Sequence, residues 1–155
     1  KSINSFEAIP HRLEHLGQKD KLNFYNDSKA TNFDSSVTGL KSVPSPSILI
    51  AGGKQKKGDF LDWLEQIKQS TNGIVLFGVS ATGLNKLIEG ASYQGEIVLK
   101  KTLEDATKAS IEVARKTNSK SILLSPACAS FDQYKNYEER GNHFKKIVMG
   151  YGIVK

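Results

Sequence analysis

The chain has 155 residues, 38% of them hydrophobic and 25% charged, with a formal net charge of +6. That length suits one domain able to bury roughly two thirds of its unfolded surface, and no apolar run approaches the roughly 18 residues needed to cross a bilayer. Its lysines are spread out, with no basic block, arginine-rich arm or aromatic ribonucleoprotein motif, so small anions rather than nucleic acid are the expected partners.

Residues 1–6 lack the apolar core of a signal peptide. Residues 12–16 and 22–25 flank 17–21, which predicts a hairpin turning at Gly17 and Asp20. Phe33, Val37 and Leu40 fall at helical spacing over 32–41, and the helix must stop before Pro44-Ser45-Pro46. Ile48-Leu49-Ile50 reads as a buried strand. Phe60, Trp63, Leu64 and Ile67 then fall at i, i+3, i+4 and i+7, with Asp59 placed to cap that helix.

Ile74 to Phe77 predicts another strand, followed by a short helix through Leu84, Leu87 and Ile88, and 96–99 a strand nearer the edge. Thr102-Leu103-Glu104-Asp105 has the hydroxyl-x-x-acid pattern of a helix start, continued by Ala106, Ala109, Val113 and Ala114. Ser121-Ile122-Leu123-Leu124 is a short apolar strand, and a last helix from near Lys135 places Tyr137, Phe144, Val148 and Tyr151 on one side. The alternation predicts an α/β fold. Its expected form is a Rossmann-like three-layer sandwich, a mostly parallel sheet of about six strands with an opening antiparallel hairpin and helices on both faces.

Three loops at strand ends carry the chemistry. Pro126 removes a backbone donor, so the chain must leave the sheet where 125–141 begins, at the carboxyl edge where open α/β sheets bind ligands. In 51–60, Gly52-Gly53 allows close backbone approach beside Lys54, Lys56 and Lys57; this outlines an anion site or a solvated basic turn, and it is not a Walker loop. Residues 26–32 bring a carboxylate, hydroxyls, an ammonium and amides to the start of a helix, either for a ligand or for capping by Asp27, Ser28 or Thr31. Cys128 is the one cysteine, which fits a reducing compartment such as the cytoplasm. With only His143 nearby in sequence, it reads as a packed thiol rather than a nucleophile. His11 and His15 make no metal-site pattern.

Four segments occur in the same order as in the carboxyl-terminal domain of the Mur ligases, and the chain resembles those that add D-glutamate to a peptidoglycan precursor. They are Pro10-His11-Arg12-Leu13-Glu14, then 26–32, 51–60 and 125–141, so the resemblance spans nearly the whole chain. It implies an ATP-dependent amide-bond-forming ligase. The carboxylate of UDP-N-acetylmuramoyl-L-alanine would be activated as an acyl phosphate and attacked by the amine of D-glutamate, with ATP and Mg2+ as cofactors of the full-length enzyme. By the same resemblance, Lys56 would pair with a D-glutamate carboxylate, Lys54 and Lys57 would face water, and Thr31 would help hold the amino acid. Ser130 would bind its carboxylate, with Phe131 and Tyr137 shaping the rest of the pocket. Arg12 and Asp27 would contact the ATP ribose and Lys29 would lie close to the phosphates. Asp132, Gln133, Asn136 and Arg140 would hold the last loop in shape.

A complete ligase of this family also has a UDP-binding domain and a central ATPase domain with the phosphate loop and magnesium ligands, and neither is in this sequence. Residues 1–155 are therefore expected to form a single terminal, amino-acid-binding domain, without a metal site or tightly held cofactor and inactive alone. A cytoplasmic monomer with no membrane or nucleic-acid partner is expected; its partners would be D-glutamate, ATP, UDP-N-acetylmuramoyl-L-alanine and the missing domains. Two other readings stay open: a sister domain of another Mur ligase or a folylpolyglutamate synthetase, and a non-catalytic interaction module.

Overall fold

The computed structural model describes residues 9–155; the signal-peptide reading of residues 1–6 lies outside them. Its elements run β1 (Glu14–Lys19), β2 (Leu22–Asn26), α1 (Phe33–Ser42), β3 (Ser47–Gly52), α2 (Leu61–Ser70), β4 (Thr71–Phe77), α3 (Ala81–Gly90), β5 (Glu96–Lys100), α4 (Leu103–Thr117), β6 (Ser121–Leu124) and α5 (Tyr137–Met149). The six strands form one sheet in the order β1-β2-β6-β3-β4-β5. Only β1 runs antiparallel to its neighbour; β2, β6, β3, β4 and β5 are parallel.

The period of two along the strands divides the core into two layers. Phe24, Ile48, Ile50, Val75, Phe77, Ile122 and Leu124 pack with residues of α4 and α5, including Leu103, Val113, Phe144 and Val148. Leu49, Ala51, Ile74, Leu76 and Leu123 face α1, α2 and α3 through Phe33, Leu40, Trp63, Ile67 and Leu84. Both faces of the central strands are thus covered, which is why their sequences are continuously apolar rather than alternating.

This topology also fixes where a ligand can enter. The chain leaves β3 toward α2 on one face and leaves β6 toward α5 on the other, although β3 and β6 are adjacent. A crevice opens between connections that diverge in this way, at the carboxyl ends of the strands. The loops after β2, β3 and β6 are the three that meet there.

Several local expectations are corrected. The hairpin turns at Asp20 and Lys21, both with positive φ (54° and 69°), as a two-residue loop between the paired residues Lys19 and Leu22. Gly17 lies inside β1, at the register shift between His15 and Gly17. Its φ is 137°, and a β-carbon there would stand 2.7 Å from the carbonyl of Val154, because the carboxyl-terminal residues bridge to Gln18. The last helix begins at Tyr137 rather than near Lys135, with Asn136 capping it by accepting from the Glu139 amide at 2.8 Å. Tyr151 lies past its end and packs from a turn. Asp59 accepts from the Leu61 amide at 3.0 Å but sits one residue before the cap position, which Phe60 occupies.

Among the described residues, no helix is long and apolar enough to cross a membrane.

Candidate functional site

Two cavities open at the carboxyl edge of the sheet, on either side of the loop that follows β2. The first, of about 330 Å3, is lined by Arg12, Leu13, Asp27 and residues 29–32, with Ser35, Thr38 and Gly39 of α1. The second, of about 300 Å3, is lined by Thr31, Lys56, Ala129, Ser130, Phe131, Asn136, Tyr137 and Glu138. Arg12, Asp27 and Lys29 therefore share the first cavity, while Thr31, Lys56, Ser130, Phe131 and Tyr137 share the second. Thr31 faces both.

Asp27 is the chemical centre of the first cavity. It is 4% exposed, yet each carboxylate oxygen has a donor: the Leu13 amide to Oδ1 at 3.1 Å and the Ser125 hydroxyl to Oδ2 at 2.7 Å. Burial pushes its pKa up to about 6 despite these bonds and the nearby Arg12 guanidinium. None of the residues considered as helix caps does that job. Asn32 caps α1, its side chain accepting from the Ser35 amide at 2.8 Å, so Asp27 and Thr31 remain on the cavity wall. Gly39 is required by close approach: a β-carbon there would lie 2.5 Å from Asp27 Oδ2 and 2.9 Å from Ser125 Oγ. Arg12 follows His11, whose carbonyl accepts from the Lys29 amide at 2.9 Å, so the two cationic segments are tied backbone to backbone.

The second cavity is assembled from three loops. Lys54 and Ala129 exchange two backbone hydrogen bonds, 2.8 and 2.9 Å, which lock the loop after β3 onto the loop after β6. Gly53 makes that approach possible, since a β-carbon there would run into the Ala129 carbonyl. Beyond this lock the exposed Lys56 reaches Thr31, its ammonium donating to the hydroxyl at 3.4 Å, while Lys54 and Lys57 are exposed. Ser130 is 3% exposed and its carbonyl accepts from the Gln133 and Tyr134 amides, turning the chain toward α5. Phe131 is 66% exposed at the rim. Lys29 extends from the first cavity toward the second, with its ammonium 5.7 Å above the Tyr137 ring.

Behind both cavities lies a fully buried guanidinium. Arg140 donates from Nε to the Ser28 hydroxyl at 3.0 Å, from Nη2 to the Ser28 carbonyl at 2.8 Å and from Nη1 to the Cys128 carbonyl at 3.0 Å. Ser28 in turn donates a hydrogen bond from its hydroxyl to the Tyr137 carbonyl at 2.7 Å. Asp132 accepts from the Val79 amide, and Gln133 donates to the Lys101 carbonyl at 2.7 Å. The four residues read as holding the loop in shape thus each make a contact that does so. Ser125, Ser28 and Gly39 were not singled out from the sequence for these contacts. Their partners lie too far away along the chain for spacing to reveal them.

Cys128 is buried, 3.6 Å from the Ser80 hydroxyl, and burial pushes its thiol pKa up, which disfavours the thiolate. His143 is engaged instead by the Tyr134 hydroxyl at 2.6 Å. His11 Nδ1 accepts from the Asn26 side-chain Nδ2 at 3.0 Å, and His15 pairs with the Asn23 side chain. Among the described residues no group of three or more His, Cys, Asp or Glu side chains could hold a metal ion. Each cavity lining carries one carboxylate, Asp27 in the first beside Arg12 and Lys29, and Glu138 in the second beside Lys56.

No protein-family model matches the chain. Over all 155 residues it is 70% identical to a protein of Prochlorococcus marinus (strain NATL2A) named UDP-N-acetylmuramoylalanine–D-glutamate ligase, covering 33% of that relative. It is 44% identical over 147 residues to the protein of the same name from Prochlorococcus marinus (strain MIT 9313), covering 95% of this chain and 32% of the relative. The same-named protein of Rippkaea orientalis is 46% identical over 147 residues, 94% of this chain and 32% of the relative. The chain spans about a third of the length of the curated relatives it matches. Among solved structures it shares its fold with Mycobacterium tuberculosis folylpolyglutamate synthase complexed with ADP and AMPPCP, at a TM-score of 0.60 and 11% identity over 88% of this chain and 32% of that one. It also resembles UDP-N-acetylmuramate-alanine ligase of Thermotoga maritima, at a TM-score of 0.56 and 12% identity over 95% of this chain and 32% of that one.

Proposed function

Since the chain belongs to the Mur ligase family, matching the D-glutamate-adding members from its first residue to its last, we propose that it forms their terminal, amino-acid-binding domain. In the whole protein it would help join D-glutamate to UDP-N-acetylmuramoyl-L-alanine at the expense of ATP, in the cytoplasm. The single observation that carries this reading is the convergence of Thr31, Lys56, Ser130, Phe131 and Tyr137 from three separate loops on one small cavity.

The chemistry of that cavity suits a dicarboxylate. Lys56 offers a flexible ammonium, and Ser130 and Thr31 offer hydroxyls that can donate to carboxylate oxygens. Gripping both carboxylates fixes the amine by elimination, leaving it to face an activated carboxyl group delivered from outside the cavity. In the neighbouring cavity the Asp27 carboxylate suits the hydroxyls of a ribose, and the Arg12 and Lys29 cations suit phosphates. ATP supplies the phosphoryl group that activates the acid. The part of this chain is to orient, and the lysine and hydroxyls need no proton transfer of their own.

The test is ADP formation by the full-length protein with UDP-N-acetylmuramoyl-L-alanine and each of D-glutamate, L-glutamate, L-alanine and meso-diaminopimelate. Turnover with D-glutamate alone is expected. Preference for L-alanine, meso-diaminopimelate or L-glutamate would move the chain to a sister ligase, and full activity after Lys56→Ala and Ser130→Ala would leave it a non-catalytic module.

A further inference from the structure

We propose that Ser125 is a positioning residue of the first cavity, its hydroxyl holding the Asp27 carboxylate in the orientation that receives a nucleotide hydroxyl; this rests on the nucleotide reading of that cavity. Ser125 is the first residue after β6 and is fully buried. Three elements fix it. Its amide donates to the Ile50 carbonyl of β3 at 3.2 Å, and its carbonyl accepts from the Ser36 hydroxyl of α1 at 2.9 Å. Ser36 in turn accepts from the indole N–H of Trp63 on α2 at 3.0 Å. An indole can only donate, so the Ser36 proton is committed to Ser125.

With its backbone pinned, Ser125 turns its hydroxyl onto Asp27 Oδ2 at 2.7 Å, while Leu13 holds Oδ1 from the other side. Each carboxylate oxygen therefore has one neutral donor and keeps a further lone pair for the cavity. The charged groups lining the cavity with Asp27 are Arg12, on the segment before β1, and Lys29, on the loop of Asp27 itself; α1 presents only Ser35, Thr38 and Gly39. The Ser125 bond favours the ionised carboxylate against a burial that favours the acid. Removing the hydroxyl frees the carboxylate to turn and raises its proton affinity further.

The experiment is Ser125→Ala in the full-length protein, read in two ways. The carboxyl 13C signal of Asp27, titrated without nucleotide, is expected to shift its midpoint to higher pH. In steady-state assays kcat/KM for ATP is expected to fall by about tenfold, with the acid limb of its pH profile moved upward. The loss should be much smaller for 2′,3′-dideoxy-ATP, and KM for D-glutamate should be unchanged. Ser36→Ala, which loosens the same region without touching Asp27, should lower thermal stability and leave the preference for ATP over the dideoxy analogue in place. An unmoved Asp27 midpoint would overturn the proposal while leaving the nucleotide reading intact. A moved midpoint with equal losses on both nucleotides would overturn it by removing ribose recognition at Asp27. Losses in Ser125→Ala matched in kind by Ser36→Ala would reduce Ser125 to a structural role and overturn it as well.

Discussion

The Lys56 ammonium stands 3.4 Å from the Thr31 hydroxyl, across the mouth of the second cavity. At that length it is a weak, exposed hydrogen bond that a carboxylate can replace at little cost. Lys56→Ala in the full-length enzyme is predicted to raise KM for D-glutamate about tenfold to a hundredfold, the loss of one charged partner. KM for ATP should hardly move, because Lys56 does not line the first cavity, the one we assign to the nucleotide. Initial-rate titrations of each substrate check this.

Asp27 has a folded-state pKa of about 6 against an ordinary value of 3.8, so the folded protein takes up its proton first as pH falls. Its contribution to stability is therefore fully present below about pH 4 and is lost as pH rises through about 6. Asp27→Asn is predicted to stabilise the fold at pH 7.5 by at most about 3 kcal/mol, with the gain vanishing near pH 4. Nucleotide use should show the opposite trend, failing as wild-type Asp27 is protonated below about pH 6. Denaturant titrations at several pH values, paired with rates, separate the two.

Gly39 lies inside α1, where alanine would ordinarily favour the helix by about 1 kcal/mol. Here the added methyl would press on Asp27 Oδ2 and Ser125 Oγ. Gly39→Ala is predicted to destabilise the protein, and to weaken ATP more than D-glutamate. Thermal melting and the two KM values decide it.

Arg140 holds two loops that are otherwise distant in sequence. Arg140→Met keeps the bulk but strands the Ser28 and Cys128 carbonyls, and should cost about 2–5 kcal/mol of stability. Arg140→Lys should recover only part of this, since one ammonium lacks the spread of a guanidinium. Urea midpoints test the order.

The chain has no Walker loop. The 155-residue chain alone is predicted to release no phosphate from ATP, even with all substrates present. A malachite-green assay is sufficient, and measurable release would refute the prediction.

Much of the architecture was readable because the strands are buried on both faces. Ile48-Leu49-Ile50 and Ile122-Leu123-Leu124 announce themselves by composition alone, and the stripe from Trp63 to Ile67 marks the face of α2. The hairpin and its turn at Asp20 are legible in the sequence, but Gly17 looks like a turn residue, whereas its freedom is used for a bulge against the Val154 carbonyl. The capping of α1 fell to Asn32 among several equally suitable neighbours. Within the site, resemblance identified the residues that face the cavities. The contacts behind them were hidden, since Ser125 and Asp27 are 98 positions apart and Arg140 and Ser28 are 112 apart.

The last strand of the chain is also the one that unites the sheet. β6 lies between β2 and β3 and pairs with both, while β2 and β3 do not pair with each other. During synthesis the opening hairpin and the β3-β4-β5 half emerge early, but nothing bonds them edge to edge until residues 121–124 arrive. Closure is thus a late, long-range event that exposes two unpaired strand edges while it waits, and a chain cut short before Ser121 would keep both edges open to aggregation.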